Sequence, residues 1–143
     1  DSIATSDAFA SADLRVAPAS PGKAERLAPF IAHKRGVLYV NLEEAGLLCH
    51  TAFQSSHSAA EALLARGALR VLVTDGGNDA SEGNRDGILT QTPPPVLVTR
   101  VTGAGDTFMA AHIAAEYAGS DRADALSRAL NAAATYVSGE TPL

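Results

Sequence analysis

Short apolar runs alternate along the chain with stretches of helical periodicity. Short continuous apolar runs are typical of strands buried on both faces of a parallel sheet. Apolar residues that recur every three or four positions indicate helices that bury one face. The pattern predicts strands within 14–18, 37–40, 68–74, 88–90 and 92–100. It predicts helices over 19–36, 41–50, 58–66, roughly 105–118 and roughly 122–138.

Turn-forming residues and helix caps mark the ends of these elements. Ser58 with Glu61 three positions later predicts a capping box, and Gly67 predicts the end of that helix. Residues 75–87 are rich in Gly, Asn and Asp, which predicts a turn region rather than a strand. Residues 1–13 are small and polar without periodicity, so we predict that they are disordered or irregular.

Strands that alternate with helices require crossover connections. The sequence therefore predicts an α/β fold, a mostly parallel sheet flanked by helices. Ligands bind such sheets beyond the carboxyl ends of the strands. Polar or glycine-rich residues follow three of the predicted strands, at Asn41, at 75–79 and at 103–106. We expect the functional site at that edge of the sheet.

Composition excludes several classes of function. The 143 residues suit one domain or a piece of one, and 46% of them are hydrophobic, which allows a real core. The net charge of −5, with no basic run, argues against a nucleic-acid-binding surface. No apolar run approaches the roughly 20 residues of a membrane span. Cys49 stands alone, so no intramolecular disulfide forms, and a cytoplasmic setting is expected.

The stretch VTGAGDTF, residues 101–108, places small residues and a carboxylate at a predicted helix start. A helix N-terminus leaves about four backbone N–H groups without partners and carries partial positive charge. Gly103, Ala104 and Gly105 let an anion approach those groups, and Asp106 could take a proton from a hydroxyl that attacks phosphorus. Acidic residues are also favoured in any first helical turn, so spacing alone leaves both interpretations open.

The residues from Thr102 to Phe108 resemble the signature Asp-Thr-x-Gly-Ala-Gly-Asp-x-Phe of the ribokinase-like (PfkB) carbohydrate kinase family. Three other stretches resemble motifs of that family in the family's order: VNLEEA its Asn-x-x-Glu motif, VLVTDGG its Thr-x-Gly phosphate loop and ALNAAATYV its late nucleotide-binding helix. The resemblance implies a ribokinase-like fold. Residues 14–143 would form the C-terminal, nucleotide-binding part of the kinase domain.

The resemblance also implies roles for the glycine turn and for the helix after the second strand. Asp106 would be the catalytic base, and the backbone of 103–105 would form an anion hole for the transferring phosphoryl group. Asn41 would contact the nucleotide phosphates, and Glu44 would help to hold Mg²⁺. An ordinary capping arrangement of Asn41 and Glu44 is the structural alternative, and one pair of residues can serve both purposes.

Two further positions match the family, and two depart from it. Thr74 and Gly76 would contact the nucleotide phosphates, but Asp79 replaces the second glycine of that loop. Asn131 would lie near the adenine, with an exposed polar position on a helix as the alternative. Arg100 stands where the family usually has an Asp that helps to bind a monovalent cation; arginine cannot ligate a cation, so cation activation is not expected.

The resemblance implies an ATP- and Mg²⁺-dependent kinase acting on a hydroxyl of a sugar or nucleoside. The segment APASPGKAERLAPF, together with VNLEEAGLL, is most similar to the pseudouridine kinase branch, which makes the 5′-hydroxyl of pseudouridine the preferred acceptor. Ala17 departs from that branch, where a Glu is usual. A ribokinase or adenosine kinase relative is the alternative within the class.

The match covers only the C-terminal half of the family's fold. The N-terminal half normally supplies most substrate contacts and a lid. The chain would then be a fragment, or one partner of a complex with a second copy or a complementing N-terminal half. A function of another class follows as the alternative: a catalytically degenerate or truncated half that binds nucleotide or a partner chain without turnover.

Overall fold

The computed structural model describes residues 14–17, 36–100 and 103–139. The chain splits into two compact units, residues 1–90 and 91–143. The irregular segment predicted at 1–13 and the helix predicted at 19–36 lie outside the described residues, apart from Gly36. The assignment of 14–143 to one part of a kinase domain stays a prediction.

The first unit is a five-stranded sheet with two helices. In chain order its elements are β1 (Leu14–Val16), β2 (Gly36–Asn41), α1 (Leu42–Cys49), α2 (Ser56–Ala65), β3 (Arg70–Asp75), β4 (Asn78–Asn84) and β5 (Gly87–Gln91). The strands lie in the order β1-β2-β3-β4-β5. Strands β1, β2 and β3 run parallel, and β4 returns antiparallel to β3. The predicted α/β class with a mostly parallel sheet is confirmed.

Alternate residues of β2 and β3 build the core with the two helices. A residue period of two along a strand sends Leu38 and Val40 to the same face of the sheet as Val71 and Val73. These side chains pack with buried residues of α1 and α2, namely Ala45, Leu48, Cys49, Ala59, Ala60 and Leu63. Small alanine side chains keep the two helices close to the sheet.

Strand β4 corrects the prediction of a turn region at 75–87. Its sequence, NDASEGN, has no apolar alternation, yet its central residues are buried. The Ser81 hydroxyl lies 2.8 Å from that of Ser56 and 2.9 Å from that of Thr90, and Glu82 accepts a hydrogen bond from Arg70. Hydrogen bonds therefore satisfy the polar side chains that this strand buries. A Cβ on Gly83 would lie 2.9 Å from a methyl group of Leu64 on α2, so glycine permits the close packing of α2 on β4.

The second unit contains α3 (Ala104–Tyr117) and α4 (Arg122–Val137), which pack against each other. Both helices were predicted with nearly these bounds. Asp121 is the N-cap of α4, and its side chain accepts a hydrogen bond from the Asp124 backbone at 2.8 Å. Within the described residues, no helix has both the length and the apolar character that a membrane span requires.

The strand predicted within 92–100 is wrong. Residues 92–98 adopt no regular secondary structure, and the side chains of Leu97 and Val98 are 83% and 55% exposed. Three consecutive prolines, 93–95, provide no backbone N–H groups for a sheet ladder, and this outweighs the apolar character of the residues that follow.

The N-terminus of α2 differs from the predicted capping box. Ser55, not Ser58, is the N-cap, and its hydroxyl accepts a hydrogen bond from the Ser58 backbone at 3.1 Å. Ser58 therefore occupies the third helical position, and Glu61 lies farther along the helix.

Replacing the cap should destabilise the protein more than replacing its neighbour. We expect Ser55→Ala to lower the free energy of unfolding by about 1 kcal/mol, because the Ser58 N–H loses its acceptor. The control Ser58→Ala should cost less than about 0.5 kcal/mol. Urea denaturation of the two variants measures the difference, and a larger loss for Ser58→Ala would restore the sequence-based assignment of the cap.

Candidate functional site

Asn41 and Thr74 meet at the carboxyl ends of two parallel strands. Asn41 is the last residue of β2, and its Cα pairs with that of Thr74 near the end of β3. Both residues are half-buried. The first unit thus brings together two of the predicted nucleotide contacts at the expected edge of the sheet.

Asn41 and Glu44 form a complete capping box at the start of α1. The Asn41 side-chain oxygen accepts a hydrogen bond from the Glu44 N–H at 2.8 Å, and Glu44 Oε1 accepts one from the Asn41 N–H at 2.8 Å. The capping role, which is the alternative to a binding role for these two residues, is therefore present in the molecule. Roles in phosphate and Mg²⁺ binding would be additional to it.

The environment of Glu44 favours its protonated form. Burial raises the pKa of the Glu44 carboxyl above its ordinary value of 4.5. The hydrogen bond from the Asn41 backbone opposes this effect, and the negative charge of Glu43 adds to it. A cation beside Glu44 would favour the ionised carboxylate.

The turn between β3 and β4 exposes backbone without side chains. Gly76 adopts φ 57°, and a Cβ on Gly76 or Gly77 would meet nothing within 4 Å. The register of β3 with β4 shifts between Val73 and Asp75, and such irregularities re-aim residues next to sites. Asp79 is exposed just beyond the turn, and its carbonyl accepts a 2.7 Å hydrogen bond from Ser56.

In the second unit, α3 begins at a glycine that supplies no capping side chain. Gly103 is the N-cap with φ 94°, a left-handed conformation, and no side chain caps the helix there. The first backbone hydrogen bond of the helix runs from the Thr107 N–H to the Gly103 carbonyl at 3.0 Å. The preceding N–H groups of the first turn therefore have no intrahelical acceptor.

The first turn of α3 carries the other predicted catalytic residues. Gly105 and Asp106 are exposed, and Ala104 is half-buried. A Cβ on Gly105 would meet nothing within 4 Å, so the backbone there is open to a ligand. The structure thus brings a carboxylate and open N–H groups into one helical turn. That combination can bind a phosphoryl group and accept a proton beside it.

Asn131 lies on the exposed side of α4. Both interpretations of this residue, an adenine contact and a solvated polar position, agree with its exposure. Its predicted role therefore stays a prediction.

The sequence did not indicate Tyr136, and it indicated Arg100 only as a departure from the family's motif. A Cβ on Gly103 would lie 2.5 Å from the Tyr136 hydroxyl oxygen, so Tyr136 abuts the glycine turn. The Arg100 guanidinium carbon lies 3.9 Å from the centroid of the Tyr136 ring. No sequence spacing connects these residues, because the contact depends on how the end of α4 folds back to the turn.

The sequence profile of the pfkB family of carbohydrate kinases matches residues 3–141. The chain therefore belongs to this family. No curated protein matches the chain.

Solved structures with the same fold include kinases of sugars. A carbohydrate kinase from Agrobacterium tumefaciens is 28% identical, with a TM-score of 0.69 over 85% of this chain and 38% of its own. A protein provisionally named ribokinase II from E. coli, in complex with ATP and Mg²⁺, is 26% identical, with a TM-score of 0.67 over 82% of this chain and 37% of its own. Arabidopsis thaliana ribokinase, complexed with ribose and ATP, is 25% identical, with a TM-score of 0.68 over 77% of this chain and 36% of its own. The chain thus spans well under half the length of these proteins.

The raised pKa of Glu44 predicts a specific dependence of stability on pH. As pH rises from 4.5, the unfolded carboxyl ionises first and the folded one keeps its proton, so the folded state binds more protons. The free energy of unfolding should therefore fall until the pH passes the raised folded pKa. Glu44→Gln removes this ionisation, and glutamine can still serve in a capping box.

We expect the difference in unfolding free energy, wild type minus Glu44→Gln, to fall across that pH window and to stay level on either side. Urea denaturation at a series of pH values measures it. A difference that rises with pH in the same window would show that the folded state lowers the pKa instead.

Proposed function

We propose that this chain is the nucleotide-binding half of an ATP-dependent kinase that phosphorylates a hydroxyl group of a sugar or nucleoside. The observation that carries the proposal is the start of α3, where a left-handed, uncapped Gly103 precedes an exposed Asp106. Membership of the pfkB family supports the proposal, since the match covers this turn.

Asp106 acts as the general base. Its carboxylate takes the proton of the acceptor hydroxyl as the hydroxyl oxygen bonds to the γ-phosphorus of ATP. The bond from that phosphorus to the bridging oxygen breaks in the same step, and ADP leaves with the electron pair. The exposure of Asp106 allows a substrate to reach it.

The backbone of Gly103, Ala104 and Gly105 stabilises the charge on the transferring group. The N–H groups of the first turn of α3 lack intrahelical acceptors, and the helix dipole adds partial positive charge. These donors are fixed before the reaction begins, so they cost little reorganisation in the transition state.

The edge formed by Asn41, Thr74 and Gly76 binds the nucleotide phosphates. The open backbone at Gly76 and Gly77 supports this role, because phosphate oxygens can approach N–H groups there without meeting a side chain. Asn131 contacts the adenine. The E. coli protein described above was solved in complex with ATP and Mg²⁺, which supports the use of ATP by proteins of this fold.

Glu44 fits the role of a Mg²⁺ ligand. Glu44 Oε1 accepts the Asn41 N–H, so Oε2 is the carboxylate oxygen that the capping box does not use. Mg²⁺ in phosphoryl-transfer sites takes few protein carboxylates and completes its shell with phosphate oxygens and water. A Mg²⁺ ion held there would neutralise charge on the phosphates, and the capping box would keep the Glu44 carboxylate in place for it.

We further propose pseudouridine, through its 5′-hydroxyl, as the acceptor. The support is the sequence similarity of 17–30 and 40–48 to that branch of the family. Residues 18–30 lie outside the described residues. Further substrate contacts would come from a complementing N-terminal half or a second copy.

A second candidate is a half that binds nucleotide without turnover. The exposed Asp79 supports it, because Asp79 stands where the family's phosphate loop has its second glycine, a departure expected of a half that has lost catalysis. This candidate predicts nucleotide binding but no ADP release that depends on the acceptor.

Asp106→Asn should abolish turnover and leave nucleotide binding intact. The substitution keeps the shape of the side chain and removes its ability to accept a proton. We expect a loss of acceptor-dependent ADP release of at least about 100-fold, since a general base contributes on that order. ADP release is followed with magnesium-ATP and each of pseudouridine, uridine, adenosine, ribose and fructose, and calorimetry measures ATP affinity.

Asp124→Asn is the matched control. Asp124 is also an exposed Asp in the first turn of its helix, three residues after the N-cap, but Arg128 pairs with it at 2.7 Å. Its replacement should leave turnover unchanged. Equal turnover of Asp106→Asn and the wild type would refute the role of Asp106.

A further inference from the structure

Tyr136 and Arg100 form a stacked pair at the end of α4. The guanidinium carbon of Arg100 lies 3.9 Å from the centroid of the Tyr136 ring, a distance at which a cation is attracted to an aromatic face. Arg100 Nε also donates a 2.7 Å hydrogen bond to the Tyr136 carbonyl. The Arg100 side chain therefore contacts both the ring and the backbone carbonyl of Tyr136.

The backbone next to Arg100 is held at the same helix end. The N–H groups of Thr99 and Arg100 both donate to the Val137 carbonyl, at 2.6 and 3.1 Å. The Thr99 hydroxyl donates to that oxygen as well, at 3.1 Å. These donors satisfy carbonyls that the end of α4 leaves without intrahelical partners, and the positive charge of Arg100 suits the negative end of the helix dipole.

The other side of this pair is the glycine turn. A Cβ on Gly103 would lie 2.5 Å from the Tyr136 hydroxyl oxygen and 3.0 Å from the adjoining ring carbon. Gly103 follows Arg100 by three positions in the sequence. Tyr136 is thus in contact with the turn while Arg100 holds its ring.

We propose that Arg100 and Tyr136 are positioning residues that hold the Gly103–Gly105 turn in the conformation that presents its N–H groups to the phosphoryl group. They touch neither substrate nor reacting atoms, and they act through the turn. The inference rests on the proposed function for its catalytic consequence. The packing of the turn can be tested without any turnover.

The Thr107 amide reports directly on the turn. It donates to the Gly103 carbonyl at 3.0 Å, so its hydrogen exchange accelerates when the turn opens. The Ala125 amide, which donates to the Asp121 carbonyl at 2.9 Å, is the equivalent amide at the far end of α4 and serves as an internal reference.

We expect Arg100→Gln to accelerate exchange of the Thr107 amide about fivefold to tenfold, the size of a lost cation–π contact, with Ala125 unchanged. Tyr136→Leu, which keeps bulk but loses the aromatic face, should do the same. Tyr136→Phe keeps that face but removes the hydroxyl that lies against Gly103, so its Thr107 exchange should fall between that of the wild type and that of Tyr136→Leu. The two residues act as one pair. The double variant Arg100→Gln/Tyr136→Leu should therefore accelerate Thr107 exchange by less than the product of the two single-variant accelerations.

Turnover gives the second readout. With the panel substrate that is turned over fastest, Arg100→Gln should lower kcat about tenfold and change the KM for ATP by less than about threefold, because a displaced turn weakens transition-state contacts above all. Arg128→Gln removes an exposed arginine from α4, the helix that carries Tyr136. It should alter neither turnover nor Thr107 exchange.

Unchanged Thr107 exchange in Arg100→Gln would overturn the proposal, whatever the turnover. Equal acceleration at Thr107 and Ala125 would also overturn it, because it would show general destabilisation. Absence of turnover in the wild type would contradict the proposed kinase activity and leave the exchange experiment decisive for the positioning role.

Discussion

The candidate site depends on how α3 begins. Its N-cap Gly103 has φ 94°, which only glycine adopts without strain, and no side chain caps the first N–H groups of the helix. A side chain at Gly103 would also clash with Tyr136, which is a second reason why this position requires glycine. Backbone geometry therefore creates the anion-binding potential of this turn, and Asp106 gains its proposed role from its position within it.

In the first unit, a structural role and a proposed binding role fall on the same residues. Asn41 and Glu44 cap α1, and they do so at the carboxyl end of β2, where parallel sheets bind ligands. A capping box fixes both side chains with two hydrogen bonds, which is the preorganisation that a phosphate or metal site needs. The cap is therefore compatible with the proposed binding role, which stays a proposal.

Apolar patterns predicted β2, β3 and the helices α1, α3 and α4 well, because burial decides those elements. Apolar patterns gave wrong predictions where hydrogen bonding or proline, rather than burial, determines the structure. Strand β4 buries Ser81 and Glu82, which hydrogen bonds to α2 and β3 make possible and no hydropathy pattern reveals. The strand predicted within 92–100 does not form, because three prolines provide no N–H groups for pairing. The motifs located the glycine turn and Asp106, whereas Tyr136 reaches the turn only through tertiary packing.

The proposed reaction transfers a phosphoryl group from ATP to a carbon-bound hydroxyl. Phosphorus-31 NMR of the protein with magnesium-ATP and pseudouridine, uridine, adenosine, ribose or fructose tests it most directly, because it identifies the product as well as the loss of ATP. We predict a phosphate monoester that accumulates in step with ADP for at least one acceptor. Release of inorganic phosphate alone, or stable ATP with every acceptor, would contradict it.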